Sequence, residues 1–139
     1  MINKNNANGE IGEQKEIVYK TLSFDVIGAA YKVSNTLGWG LSERSYQKAL
    51  ATEFEKRKIK FQREVYIPIH YEAVNIGRYF ADFIVEDKII LELKVVSQLG
   101  YVHLRQLFQY LRGAGIRLGI LIYFTKDVVK YRRVVNPEV

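Results

Sequence analysis

Residues 80–96 read Phe80-Ala81-Asp82-Phe83-Ile84-Val85-Glu86-Asp87-Lys88-Ile89-Ile90-Leu91-Glu92-Leu93-Lys94-Val95-Val96. Two apolar runs flank the short polar segment Glu86-Asp87-Lys88, the pattern of two strands joined in a tight antiparallel hairpin. A register that sets Val85 against Ile89 sets Asp82 against Glu92. The period of two along a strand puts Glu92 and Lys94 on one face and Leu91, Leu93 and Val95 on the other. Charges inside an apolar strand are costly unless paired or bound, and like charges directly opposite destabilise a sheet. A divalent cation between the two carboxylates turns that repulsion into a binding site. Oxygen ligands favour Mg²⁺, Mn²⁺ or Ca²⁺; Mg²⁺ held there would polarise a phosphate and activate water, while an ammonium can orient the water or stabilise developing charge. The same alternation also suits an ordinary half-exposed strand with solvated charges.

Working outward toward the N-terminus, Leu22, Val26, Ile27, Ala30, Val33 and Leu37 follow helical spacing. Gly38-Trp39-Gly40 ends that helix. A second opens at Ser42 as N-cap and turns Tyr46, Ala49, Leu50 and Phe54 inward. Val65, Ile67, Ile69 and Tyr71 then alternate with Glu64, Tyr66, Pro68 and His70, a strand that Pro68 places at an edge or a bulge. Ala73-Val74-Asn75 is the expected turn, and Ile76 to Val85 the next strand. Beyond the hairpin, residues 102–113 form a helix with Leu104, Leu107, Phe108 and Leu111 as its apolar stripe and Gly113 or Gly115 as its cap. Leu118 to Phe124 is nearly all apolar, as in a strand buried on both faces. Val128 to Val135 is the last strand, ending before Pro137. The order α, α, β, β, β, α, β, β contains one helical crossover. It predicts a mixed central β-sheet flanked by helices, in the α/β (α+β) class.

The chain has 139 residues, one domain's worth, of which 48% are hydrophobic and 26% charged, so a real core is expected over residues 21–139. Residues 1–20 are polar and Asn-rich and read as a mobile tail. The absence of cysteine excludes a disulfide scaffold, Cys-ligated zinc, an iron–sulfur cluster and a thiol nucleophile. With only two histidines, a metal would be held mostly by carboxylates. Twenty-one Lys and Arg against fifteen Asp and Glu give +6, a balance that favours polyanions, nucleic acid first. Lys56, Arg57, Lys58, Lys60 and Arg63 form one basic cluster, and Lys126, Lys130, Arg132 and Arg133 another. Either suits phosphate contacts or solvated charge at a helix end and on an edge strand. No apolar run approaches the roughly 20 residues of a membrane span. The first residues lack the apolar stretch of a secretory signal, and the expectation is a cytoplasmic protein that does not associate with membranes.

Further polar positions stand out on the helices and the turn between the first two. His103, Gln106 and Tyr110, spaced i, i+3, i+7, share one stripe of their helix, although the outer face of any amphipathic helix looks similar. Glu43 lies in the first turn of its helix, where a carboxylate also complements the helix dipole without further function. Tyr46 suits the core. Trp39 suits either the core or stacking on a base near Glu43.

Together these residues resemble a known family. Gly40-Leu41-Ser42-Glu43-Arg44-Ser45-Tyr46 matches the signature of the GxxExxY family, which is assigned to the PD-(D/E)XK nuclease superfamily with its α-β-β-β-α-β core. Asp82 and Glu92-Leu93-Lys94 match the superfamily's acid and acid-x-Lys, with Ala81 in place of the motif's proline. Gln106-Leu107-Phe108-Gln109-Tyr110 matches the Q-x-x-x-Y of the RecB-like branch, with His103 three residues ahead. The resemblance runs from about Leu22 to Asn136. It implies a Mg²⁺- or Mn²⁺-dependent nuclease acting on nucleic acid, DNA foremost. Glu43, Asp82 and Glu92 would be the metal carboxylates, Glu43 through water. Lys94 would be the catalytic lysine, Gln106 would position it or the substrate, and His103, Tyr110 and Tyr46 would be auxiliary. Because one fold hosts many functions, a catalytically silent nucleic-acid-binding or protein-interaction module is the alternative. Either could act as a homodimer or within a larger complex.

Overall fold

The computed structural model describes residues 17–98 and 100–139; residues 1–16, most of the expected tail, lie outside the described residues. Helices α1 (Lys20–Leu37) and α2 (Glu43–Lys56) precede strands β1 (Phe61–Tyr71), β2 (Val74–Val85) and β3 (Ile89–Val95), then α3 (Tyr101–Ala114), β4 (Leu118–Phe124) and β5 (Val129–Val135). This is the expected order. Two strand starts differ by two residues or more. Strand β1 begins at Phe61, ahead of the alternating stretch, and β2 begins at Val74, because Glu72 and Ala73 make the turn and Glu72 takes φ 54°.

Local chemistry explains where the helices start and stop. Gly38, at φ 73°, caps α1 and its N–H donates to the Ser34 carbonyl, a conformation that glycine adopts without strain. The Ser42 hydroxyl accepts from the Ser45 N–H at 3.1 Å and satisfies a free donor at the start of α2. Gly115, at φ 67°, caps α3. Gly113 has a different reason to be glycine. It stays helical, and a Cβ there would sit 2.4 Å from the Pro68 carbonyl oxygen, so α3 packs directly onto the backbone of β1.

The five strands lie in the order β1-β2-β3-β4-β5. Strands β3 and β4 are parallel through the α3 crossover, and the other neighbours are antiparallel. Pro68, which has no N–H to donate, sits on edge strand β1 where the register shifts. Helices α1 and α2 cover one face, with Val26, Ala30, Tyr46, Leu50 and Phe54 packing on Phe83, Val85, Leu91, Leu93, Ile120 and Ile122. Helix α3 covers the other, with Leu107, Tyr110 and Leu111 on Ile67, Ala81, Ile84, Ile90 and Leu121. Strands β3 and β4 are therefore buried on both sides. Each fully buried Leu, Ile or Phe stabilises the fold by about 2 kcal/mol. Among the described residues, no helix is long and apolar enough to cross a membrane.

Strand β2 does not keep one phase. Alternation would put Ala81 and Phe83 on the same face, yet Phe83 packs under α1 and α2 while Ala81 packs under α3. The change occurs at Asp82. Its neighbour on β1, between the pairs Arg63–Phe83 and Val65–Ala81, is Glu64 at φ 52°. Both strands are irregular at the same level, and this irregularity positions the site described below.

Two glycines inside helices should respond with opposite signs. At Gly28 in α1 an added Cβ meets only the tip of the flexible Arg57 side chain, at 3.2 Å. Gly28→Ala should therefore gain helix propensity and stabilise by about 1 kcal/mol. Gly113→Ala should destabilise by about 2 kcal/mol, because the Pro68 backbone cannot yield cheaply. Urea unfolding of the two variants measures both.

Candidate active site

The β2–β3 ladder runs through Val85–Ile89, Ile84–Ile90 and Phe83–Leu91, the expected hairpin register. One step further the backbone pairing stops and side chains replace it. The Asp82 N–H donates to Glu92 Oε2 at 2.8 Å. The Leu93 N–H donates to Asp82 Oδ2, also at 2.8 Å. Each carboxylate thus satisfies a backbone donor on the opposite strand, which would otherwise be a buried unpaired group. Such charge-assisted bonds are strong, and they hold the two acids at the point where the strands separate. The sequence places Asp82 and Glu92 face to face as a repelling pair. The structure crosses them instead, one carboxylate oxygen of each taken by the neighbouring strand.

The electrostatics follow from burial and crowding. Glu92 is only 6% exposed. Burial, followed by the negative charge of Asp82, pushes its carboxyl up to about 8, against the pull of the Asp82 N–H and Lys94. Burial and the charge of Glu43 raise Asp82 as well, opposed by the Leu93 N–H, Lys94 and the nearby Gln47 side chain. Burial and the charges of Glu92 and Asp82 push the Tyr110 hydroxyl up to about 12. Glu43, Lys94, Gln47 and Tyr110 all therefore surround the crossed pair, reaching it from α2, β3 and α3.

Helix α2 supplies Glu43 in its first turn and Gln47 one turn later on the same side. Gln47 escaped the sequence reading. Its signal was the i, i+4 relation to Glu43, which carries no weight until the helix is known to lie over Asp82. The Gln47 Oε1 also accepts from Arg63 Nη2 at 3.4 Å. Arg63 is half-buried, with its guanidinium 5.4 Å from the Phe83 ring centroid and its Nε buried without a partner. It stands beside the site, apart from the rest of its basic cluster.

Lys56, Arg57, Lys58 and Lys60 lie at or beyond the other end of α2, about 20 Å from Glu43 along the helix axis. Arg57 there pairs with Glu53 at 2.9 Å. Tyr46 is wholly buried, stacked on Phe124 with centroids 4.2 Å apart, and its hydroxyl donates to the Gly38 carbonyl. It holds the loop that delivers Glu43. On α3, Tyr110 is buried, Gln106 is exposed one turn earlier, and His103 is half-buried in the first turn with no partner for its Nδ1.

Among the described residues no group of three or more Asp, Glu, His or Cys side chains is placed to hold a metal ion as it stands. Two fixed carboxylates with a third acid nearby nevertheless fit a hard divalent cation. Mg²⁺ keeps several waters and takes one or two protein carboxylates, leaving positions for a substrate's phosphate oxygens. Burial and mutual repulsion raise these carboxyls, and a bound cation would remove the repulsion.

A family model described as the PD-(D/E)XK nuclease superfamily matches residues 20–134. Among solved structures, the crystal structure of SSO0001 is similar over 86% of this chain and 58% of its own, with 24% identity and a TM-score of 0.54. The chain thus spans just over half the length of that protein, and the likeness is one of fold. The alkaline exonuclease LHK-Exo from Laribacter hongkongensis is similar over 78% of this chain and 77% of its own, at 10% identity and a TM-score of 0.49. No curated protein sequence matches the chain.

Glu92 binds its proton more tightly in the folded than in the unfolded chain, so its contribution to stability is full below the ordinary value of 4.5 and is lost as pH rises toward about 8. Metal-free protein should accordingly unfold more easily at the alkaline end of that window. Glu92→Gln, whose amide oxygen can still accept from the Asp82 N–H, should flatten this dependence and raise the melting temperature near pH 8 by about 5 °C. Thermal melts across pH in EDTA measure it, and a variant as pH-sensitive as wild type would count against the burial argument.

Proposed function

We propose that this chain, which belongs to the PD-(D/E)XK nuclease superfamily, hydrolyses phosphodiester bonds in DNA with the help of a carboxylate-held Mg²⁺ or Mn²⁺. The observation that carries this reading is the crossed pair. Asp82 and Glu92 are pinned by backbone N–H groups at 2.8 Å, and Lys94 lies close enough to oppose the rise of both carboxyls. Asp82 and Glu92 would hold the cation, and Glu43 would join through water. The cation, when bound, polarises the phosphodiester and acidifies water.

The protein's own groups divide the remaining work. Lys94 orients the attacking water or stabilises the charge that develops on the phosphate oxygens. Gln106 helps to position Lys94 or the substrate, with His103 and Tyr110 as auxiliary groups. Water adds to phosphorus, the P–O bond breaks, and a phosphomonoester and a free hydroxyl result. Gly40, Glu43 and Tyr46, in that order ahead of the acid pair, support a place in the GxxExxY branch. In this reading the contribution of Tyr46 is to seat the loop before Glu43.

Lys94 is half-buried on β3, and its truncation should leave the fold intact. Wild type and Lys94→Ala would be incubated with circular and linear DNA, single- and double-stranded, in Mg²⁺, Mn²⁺ or EDTA. The expected result is metal-dependent cutting that falls about a hundredfold or more in the variant. A folded variant that cuts as fast as wild type would sink the assignment of Lys94, and no cutting by folded wild type on any substrate would favour the silent binding module.

A further inference from the structure

The hairpin of β1 and β2 continues beyond Asp82 as a two-stranded ribbon. Strand β2 pairs with β3 only from Phe83 to Val85, while its pairing with β1 runs on from Ala81 to Val74. The two faces of this ribbon differ. Val65, Ile67, Tyr79 and Ala81 pack toward α3. On the other face Tyr66 lies directly across from Phe80, and Pro68 across from Arg78. Tyr66 is 42% and Phe80 43% exposed. Their ring centroids are 5.8 Å apart, and the Arg78 guanidinium lies 5.6 Å from the Phe80 centroid. The core beneath α1 and α2 reaches only to Phe61 and Phe83 on these strands, so this part of the face is bare. It lies on the α2 side of the sheet, the side from which Gln47 reaches Asp82. Phe80 is two residues from Asp82, about 7 Å along the strand.

We propose that Tyr66 and Phe80, with Arg78, form a base-stacking platform that continues from the carboxylates, and that the substrate is therefore single-stranded nucleic acid. An exposed aromatic ring gains from a base only where the base offers a free π-face. In a duplex the bases are already stacked on each other, so the platform has nothing to hold. A duplex-binding surface would instead present a row of cations at phosphate spacing; of the two basic clusters, one lies at the far end of α2 and the other in and just before β5, at the edge of the sheet opposite β1. Beside Tyr66 stands exposed Glu64, which repels a phosphate backbone but tolerates a neutral base. Arg78 supplies a planar cation that stacks or meets a phosphate.

The proposal rests on reading Asp82 and Glu92 as the nuclease site, but its test needs no turnover. Binding of the full chain to a fluorescent twelve-nucleotide strand and to the matching duplex would be measured by anisotropy in EDTA. Wild type should bind the single strand at least about tenfold more tightly. Phe80→Ala and Tyr66→Ala should each weaken single-strand binding about tenfold and leave duplex binding unchanged. Phe80→Leu, which keeps an apolar side chain on the hairpin without a π-face, should lose as much as the alanine variant, and Phe80→Trp should restore binding. Melting temperatures confirm that each variant is folded. Unchanged single-strand affinity in the alanine variants, recovery in Phe80→Leu, or a wild-type preference for duplex would overturn the platform. So would a wild-type dimer that dissociates in Phe80→Ala on sedimentation, which would assign the face to a second copy of the chain. If the strand binds as expected but is not cut in Mg²⁺, the platform stands and the nuclease reading falls.

Discussion

Backbone pairing gives way to side-chain pairing at Asp82 and Glu92, and the arrangement of the rest of the molecule depends on that exchange. A sheet loses stability wherever its ladder opens, because buried N–H groups lose their partners. Here two carboxylates fill the opening, each accepting from the other strand. A buried acid without a partner would be very costly, and an opened ladder without acceptors would be costly as well; together each offsets part of the other's penalty. The compensation is incomplete. Burial, with the negative charges of Asp82 and Glu43 added to it, still holds the Glu92 carboxyl far above the ordinary range. The site thus retains an electrostatic demand that positive charge can meet.

The neighbouring strands make the opening tolerable. Strand β3 is paired with β4 along its whole length, from Ile89–Leu118 to Val95–Phe124. Strand β2 is paired with β1 well beyond the seam. Strand β3 therefore keeps an unbroken ladder on one side when the shared ladder ends, and β2, unpaired at Asp82 itself, resumes its pairing with β1 at Ala81. The two helical layers then approach the seam from both faces. Helix α2 is set by the Ser42 cap and by Tyr46 anchoring the preceding loop, and it brings Glu43 and Gln47. Helix α3 is set by the close contact of Gly113 with β1, and it brings Tyr110.

Much of this was legible in the residues themselves. The hairpin register follows from the three-residue turn and the apolar runs beside it. The Ser42 cap, the Gly38 stop, the edge position of Pro68 and the two-sided burial of β4 each have a local chemical cause, and each is found. The crossing of the carboxylates was not legible. Register alone predicts a face-to-face pair, and only the end of the ladder at Phe83 frees the N–H groups that the acids then take. Gln47 and Arg63 were obscured for a related reason. Gln47 looks like any polar helix residue and Arg63 like one member of a basic cluster, until α2 is laid across the start of β1.

The sequence by itself determined the order of the elements, the caps, the hairpin and the identity of the acids and lysine near its middle. These depend on interactions a few residues long: turn chemistry, periodicity, and the cost of charge in an apolar strand. Tertiary structure alone decided which polar groups meet. It brought Glu43 and Gln47 to Asp82 across nearly forty positions of chain, carried Lys56 to Lys60 away to the far end of the same helix, and left Tyr66 and Phe80 uncovered beside the acids. The physical reason is that a side chain's pattern specifies the face it turns to the core, whereas its partners depend on where the long-range packing of helices on the sheet leaves a seam open.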